Sequence, residues 1–594
     1  MLIDNIFRRR VEKLREIMSQ HGVNAYFISG TDPHISEYIP EFWKTRDFIT
    51  GFTGSAGTVI VTDDSAALWT DSRYFLQAEV ELQGSDIQLM KLNMSGIPSH
   101  SEWLGKILQP GNIVGTDARC ISASQFQILA SELNNFSISL IDVGDLLGSI
   151  WSDRKPLPFS CISIHEMEFA CVSRSGKIRQ LREKLSILSA EFTIVTALDD
   201  LAWLFNLRGN DVMFNPVFTG YGLVSQSEIF LYVNLSKLTD DVKHELINDN
   251  ITLKPYDDIF IDLSKIEGSA CIDIKKTNQA LFSLLSSKSK IISTASVIAE
   301  MKSVKSESEL RHLEDTLKRD GAAMVNFLYW FDQTIGKEDI FELDLISKLE
   351  YFRSLQEHFK GISFETIIGY NKTGAIVHRR VNIENAEFVK KQGILLFDSG
   401  GQYLTGTTDI TRTICLSTPT TQQMQDFTLI LKGLISLTSV IFPRGTKGAN
   451  LDIMARHAMW QLGINYGHGT SHGIGYYLNV HEGPANIRQE YNEYPILPGM
   501  VFSNEPGIYR EGQYGMRIEN MMVCVEKMKT ESGTFLGFET MTLCPIDKQL
   551  IDRSMLTETE IGWINKYHRW CFDELSPLLD KDKACFLEKL TSEI

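Results

Sequence analysis

Four carboxylates and a set of histidines crowd into residues 393–520, and their types and spacing limit the chemistry available to this chain. Asp398 and Asp409 stand eleven positions apart in GILLFDSGGQYLTGTTDITRT, and Glu505 and Glu519 stand fourteen apart across SNEPGIY and GMRIEN. Residues 394–397 are apolar and strand-like, and 410–414 show strand alternation with β-branched side chains. Folded as a hairpin with its midpoint at Tyr403–Leu404, just past Gly400-Gly401, this stretch sets Asp398 across from Asp409, Cβ atoms roughly 5 Å apart. Residues 501–504 and 516–526 read as a second pair of strands. Their midpoint is Gly512, which tolerates the positive φ of such turns, so Glu505 faces Glu519. Four carboxylates cannot share a partly buried site without strong pKa shifts unless cations neutralise them. Two divalent ions about 3.5–4 Å apart would do so, and such a pair activates water for hydrolysis.

A fifth ligand should be a histidine, and His472 in HGTSHGIG is the best candidate. His468 and His472 have the i,i+4 spacing of a helical zinc motif, but position 469 is glycine rather than glutamate. Gly467, Gly469, Gly473 and Gly475 favour a loop or strand instead. Asp398 closes an apolar strand, where a charge is costly unless it is paired.

The elements that must position these residues follow from the rest of the chain. Residues 1–157 read as an α/β domain: an amphipathic helix from the N-terminus, a strand at 24–29, and a hairpin of 58–62 and 66–70 turning at Asp63-Asp64-Ser65. GFTGSAG lacks the GK[ST] of a phosphate loop and precedes a hairpin, so it is not read as one. WSDRKPLPF (from Trp151) reads as a linker. Residues 158–302 repeat the scheme, with a helix at 178–185, strands at 192–196, 216–219 and 228–234, and a helix at 199–206. NAYFISGTDPH and EFTIVTALDDL point to duplicated domains. Neither half carries a cluster of histidines or paired carboxylates, and both read as scaffold and dimerisation elements.

A catalytic domain is expected over 303–546. It opens with the Ser306/Glu309 capping box and a helix whose apolar positions are Leu310, Leu313, Leu317, Met324, Leu328 and Phe331. Helices are read near 342–355, 422–441 and 451–462. A helical extension over 547–594 would pack back on the body.

Composition narrows the function further. The 594 residues suffice for three or four domains, and a net charge of −17 argues against nucleic-acid and anionic-membrane partners. Nine scattered cysteines without a C-x-x-C pair read as reduced thiols. With no secretory h-region and no run of about 18 apolar residues, a cytoplasmic location is expected.

FDSGGQY, GTTDITRT, HGTSHGIG, NVHEGP, NEPGIY and MRIEN together resemble the aminopeptidase P (Xaa-Pro aminopeptidase) branch of the pita-bread metallopeptidases. SEYI, GFTGSAGTVIVT, ALWTDSRYFLQAE and TALDDLAWLFNLRG extend the likeness over essentially the whole chain, in the long three-domain form. The resemblance implies an α/β (α+β) fold of two creatinase-N-like α/β domains followed by a pita-bread domain with a curved, mostly antiparallel sheet. It implies that Asp398, Asp409, His472, Glu505 and Glu519 bind two divalent ions, with manganese favoured over zinc or cobalt by the oxygen-rich ligands. A hydroxide bridging the ions would attack the bond between the first residue and proline, with Glu505 as proton acceptor. His378 and His481 would hydrogen-bond the substrate and tetrahedral intermediate, and His468 would help form the proline pocket. Tyr509 is expected to line that pocket, and Arg517 to hold ligand carboxylates by a salt bridge. Arg73 either reaches the substrate or pairs with Asp71. A homodimer is also implied.

Two departures stand out: Arg379-Arg380 follow His378 where an aromatic is common, and Ser471 stands where long-form relatives often have glycine. The alternatives are a prolidase-type dipeptidase and a catalytically dead peptide-binding module. The dead modules have lost ligands that this chain retains.

Overall fold

The computed structural model describes residues 6–594, so the first five residues of the expected N-terminal helix lie outside the described part. The chain divides into two compact units, Met1–Glu166 with Val172–Ala299, and Met167–Cys171 with Glu300–Ile594.

The first unit is built on two six-stranded mixed sheets of the same design. In one the order is Gln88–Lys91, Ala66–Thr70, Thr58–Thr62, Ala25–Ile28, Ile113–Thr116, Ser139–Asp142. In the other it is Thr252–Lys254, Ile229–Val233, Gly220–Ser225, Phe192–Val195, Gly268–Ile272, Ser289–Ser293. Both run parallel, antiparallel, antiparallel, parallel, parallel across successive pairs. Ala25–Ile28 and Phe192–Val195, the two stretches whose likeness suggested duplication, occupy equivalent central positions. The strand expected at 216–219 does not form. Pro216 has no N–H, the Pro216 and Val217 carbonyls accept from Gly209 and Asp211, and the strand begins only at Gly220.

His34 knits the two sheets together. It is buried, with Nδ1 at 2.8 Å from the Thr196 carbonyl and Nε2 at 3.0 Å from the Tyr256 hydroxyl, and its ring lies against Tyr221. Burial lowers its pKa and holds it neutral.

The long helix of the second unit, Glu307–Thr334, is capped as expected by Ser306 and Glu309. Its buried Leu313, Leu317, Met324 and Phe331 face the sheets. Every strand pairing in this unit is antiparallel, but the curved sheet is divided into short ladders. The helices Thr421–Ser439 and Glu558–Leu575 bury Phe427, Leu431, Ile564 and Cys571 in one core, so the C-terminal helix does pack back onto this unit.

Candidate active site

Asp398 and Asp409 reach the site on one antiparallel ladder, though not as direct opposites. The strand Ile394–Ser399 pairs with Ile410–Cys415 in the register Asp398 to Thr411 and Ser399 to Ile410. Asp409 is therefore two positions from the residue facing Asp398, a diagonal neighbour on the same side. The true midpoint is Leu404–Thr405, where Gly401–Tyr403 turns back on Gly406–Thr407 and also pairs with Phe359–Ile362. Gly400 makes the change of partner feasible, since a Cβ there would lie 1.9 Å from the Thr408 carbonyl oxygen.

The glutamate pair has the register read from the sequence. Val501–Asn504 pairs with Asn520–Thr530, Asn504 to Asn520. Gly507–Arg510 pairs with Tyr514–Arg517, Gly507 to Arg517, around Gly512 at φ 70°. Glu505 and Glu519 face one another in the gap between these ladders. Backbone bonds sew the gap to its surroundings: Glu505 N–H donates to the Thr470 carbonyl at 2.9 Å, and Glu519 N–H to the Thr411 carbonyl at 3.0 Å. The second bond joins the aspartate ladder to the glutamate one.

His472 lies on the short strand Ser471–Gly473, as the glycine-rich context suggested. Its Nδ1 is 2.9 Å from the Gly473 carbonyl, which makes Nδ1 the donor and turns Nε2 toward Asp409 and Glu505, each at 3.5 Å. Asp409, His472 and Glu519 each offer a ligand atom within 4.8 Å of the others. Asp398 Oδ2 accepts from Arg517 at 2.6 Å, while its buried Oδ1 accepts no hydrogen bond. A carboxylate oxygen in that condition fits a cation far better than an apolar cavity.

Electrostatics agree. Burial, with Asp409 adding to it against the pull of Arg517, raises Asp398 to about 6. Burial raises Glu505 to about 7 against His472 and Arg517, and it raises Glu519 well above the carboxylate range, helped by Asp409 and Glu505. Burial disfavours charge on His472, but its bond to Asp409 and the nearby Glu505 outweigh that and raise it to about 9. The array binds protons tenaciously, as expected of ligands arranged for divalent cations.

Around it runs a continuous polar chain. His468 Nε2 is 2.8 Å from the Tyr509 hydroxyl, Tyr509 lies 2.5 Å from Arg517, and Arg517 also reaches Thr411 Oγ1 at 3.0 Å. The strand Tyr514–Arg517 ends at Arg517, whose guanidinium forms a salt bridge with the candidate ligand Asp398 at 2.6 Å. The His481 ring stands edge-on to His472, centroids 4.4 Å apart. His378 sits on the turn after Asn371–Ala375, half-buried. That turn presses on the Tyr514–Arg517 strand so closely that a Cβ on Gly515 would lie 1.8 Å from the Gly374 carbonyl oxygen. Arg73 belongs to the first unit and pairs with Asp71 at 2.8 Å.

The two arginines after His378 do not add free positive charge. Arg379 is buried against Glu342, and Arg380 pairs with Glu365 at 2.7 Å. Glu342 also accepts from the backbone of Tyr370 at 3.2 Å and of Glu387 at 2.8 Å, so one carboxylate ties down the whole turn.

Two supporting residues escaped the sequence reading. Thr411 donates to Glu519 Oε2 at 2.9 Å, and Ser503 accepts from the His472 N–H at 3.0 Å while donating to Glu505 at 3.4 Å. Thr411 lies two positions from Asp409 and Ser503 two from Glu505, each carboxylate just beyond the end of the strand, and that spacing was the available signal.

Residues 311–526 match the metallopeptidase family M24, and residues 10–150 and 153–309 each match the creatinase/prolidase N-terminal domain. Residues 534–594 match the C-terminal region of that peptidase family. The chain is 39% identical to a probable Xaa-Pro aminopeptidase P of Laccaria bicolor, over 96% of this chain and 91% of that one. It is 38% identical to a probable Xaa-Pro aminopeptidase P of Paracoccidioides brasiliensis, over 97% of each. The crystal structure of the X-prolyl aminopeptidase of Caenorhabditis elegans, a cytosolic enzyme with a dinuclear active site, superimposes with a TM-score of 0.94 at 31% identity. The match covers 98% of this chain and all of the other.

Proposed function

Because the chain belongs to metallopeptidase family M24, with two creatinase/prolidase N-terminal domains ahead of the catalytic one, we propose that it is a metal-dependent Xaa-Pro aminopeptidase. It removes the first residue from peptides whose second residue is proline. The observation that carries the reading is the convergence of Asp409, His472 and Glu519 beside the unsatisfied Asp398 Oδ1.

Asp398, Asp409, His472, Glu505 and Glu519 would hold two divalent ions, and their hard oxygen donors favour Mn²⁺. When bound, such ions supply Lewis acidity and a water of lowered pKa. The remaining work falls to side chains. Glu505 takes the proton of the attacking water and passes it to the departing prolyl nitrogen. That nitrogen needs a donor because an amide nitrogen leaves readily only as the protonated amine. His481 and His378 donate to the carbonyl oxygen as charge grows on it. His468 is held by Tyr509 and, through Tyr509, by Arg517, so the wall expected to receive the proline ring is tied to Asp398. Arg517 keeps Asp398 oriented with one oxygen turned away from it. A cytosolic location and a homodimer, with the first unit as scaffold, complete the reading.

The test is hydrolysis of an Xaa-Pro-Xaa tripeptide beside an Xaa-Pro dipeptide, after chelation and re-addition of Mn²⁺, with Asp409→Ala as control. Metal-dependent release of the first residue from the tripeptide, lost in the variant, is expected. Cleavage of the dipeptide alone would assign a prolidase. Metal binding without turnover of either peptide would leave a binding module.

A further inference from the structure

Next to the candidate centre lies a second set of buried charges that the mechanism does not use. Glu482, which follows His481, is almost wholly buried, as are Lys302 and Lys305. Lys302 Nζ donates to Glu482 Oε2 at 3.2 Å, and Lys305 Nζ donates to Oε1. Lys305 also reaches the Lys302 carbonyl at 3.1 Å and the Ser303 carbonyl at 3.5 Å, so each of its three N–H groups has an acceptor. Two ammonium groups on one carboxylate, out of water, form a costly arrangement that a well-packed apolar core would not need.

Glu482 stands at a particular point of the sheet. The strand Glu482–Ile487 pairs with Ser471–Gly473, Glu482 opposite Gly473, with an irregularity in register between His472 and Gly473. The approach is so close that a Cβ on Gly473 would lie 2.4 Å from the Glu482 carbonyl oxygen. The Gly473 carbonyl is in turn the acceptor that orients His472. A displacement of Glu482 therefore moves His481 by direct attachment and His472 through Gly473.

We propose that Lys302 and Lys305 are positioning residues: by gripping both oxygens of Glu482 they set the bulge that aims His472 and His481 into the metal centre. The inference rests on the reading of the site given above. It assigns to the segment that opens the second unit a function in tuning metal affinity and turnover, beyond its packing.

The test combines Mn²⁺ titration of the apoprotein by calorimetry with kcat and KM on the tripeptide at saturating Mn²⁺. Lys305→Met should weaken Mn²⁺ binding about 10- to 100-fold, the range typical of partners that orient metal ligands. It should also lower kcat about ten-fold or more, with KM within about two-fold of wild type. Lys302→Met, which leaves Lys305 on the carboxylate, should shift both in the same direction by less. Lys432→Met removes a different ion pair of the unit, with Glu560, and should leave both at wild-type values. Should Lys305→Met not fold, the triple variant Lys302→Met/Lys305→Met/Glu482→Gln, which removes all three charges of the cluster together, carries the same expectation. Wild-type Mn²⁺ affinity and kcat in the folded clamp variants, or an equal loss in Lys432→Met, overturn the proposal. A wild type that binds Mn²⁺ but cleaves no tripeptide refutes the aminopeptidase reading alone, and the affinity arm still decides the clamp.

Discussion

Chelation should make this protein less stable as pH rises, and the structure sets the size of the effect. Glu505 is raised from 4.5 to about 7 by burial, which at about 1.36 kcal/mol per pKa unit is worth about 3 kcal/mol. A folded-state pKa above the unfolded value stabilises fully below the unfolded pKa, and that stability is lost as pH climbs through the folded one. Asp398, raised to about 6, and His472, raised to about 9, act in the same direction. Because the carboxylates titrate as a set, about 3 kcal/mol is taken for the group. For a unit of this size that is roughly 6 °C in Tm, at about 2 °C per kcal/mol. The assay is thermal unfolding from pH 5.5 to 8.5 with chelator and with saturating Mn²⁺. The chelated Tm should fall by that amount relative to the loaded one, because bound cations replace the protons. His568, buried and lowered to about 3, contributes mainly below this window and equally with and without metal. A difference between loaded and chelated Tm that stays flat or shrinks with pH would refute the argument, as would an unchanged slope in Glu505→Gln.

Three further outcomes follow from particular contacts. Arg379→Ala strands the buried Glu342 and should cost about 3 kcal/mol or more in urea unfolding, with loss of turnover as the His378 turn loosens. Tyr509→Phe removes the hydroxyl that His468 and Arg517 share; kcat should fall about ten-fold while metal content by elemental analysis is unchanged. His34 is buried neutral with its pKa lowered, so its contribution is present above about pH 6.5 and is lost as pH falls below that. Circular dichroism on His34→Gln should show a weaker acid sensitivity than wild type.

How much of this was legible in the chain depended on how local the cause was. The glutamate hairpin could be read because its two arms are equal in length and its turn carries a glycine at positive φ. The aspartate hairpin was misread by one residue at its midpoint, because counting assumes two strands that stay paired throughout. Here Gly400 lets the chain leave one ladder and join another with Phe359–Ile362. Strand parity survived the error, so both aspartates still reach the same side. Arg379 looked like added charge beside the site because nothing near it in sequence predicts Glu342, 37 positions earlier. The grip on Glu482 spans 177 positions from Lys305 and was equally invisible. Periodicity reports which face a residue takes, and it carries no information about the distant partner that face will meet.

The gap that holds Glu505 and Glu519 has a consequence for changes in chain length. The ladders on either side share one register, Asn504 to Asn520 and Gly507 to Arg517, so Glu505-Pro506 is matched by Ile518-Glu519, two residues against two. One residue added or removed on either arm of this neck would turn a glutamate to the opposite face of the sheet. At the tip, residues 511–513 are not bound by that constraint, and a Cβ on Gly512 meets no atom within 4 Å. Insertions and deletions should therefore accumulate at the tip and be excluded from the neck, and the tip is where an epitope or a fluorophore-bearing loop can be grafted without disturbing the centre.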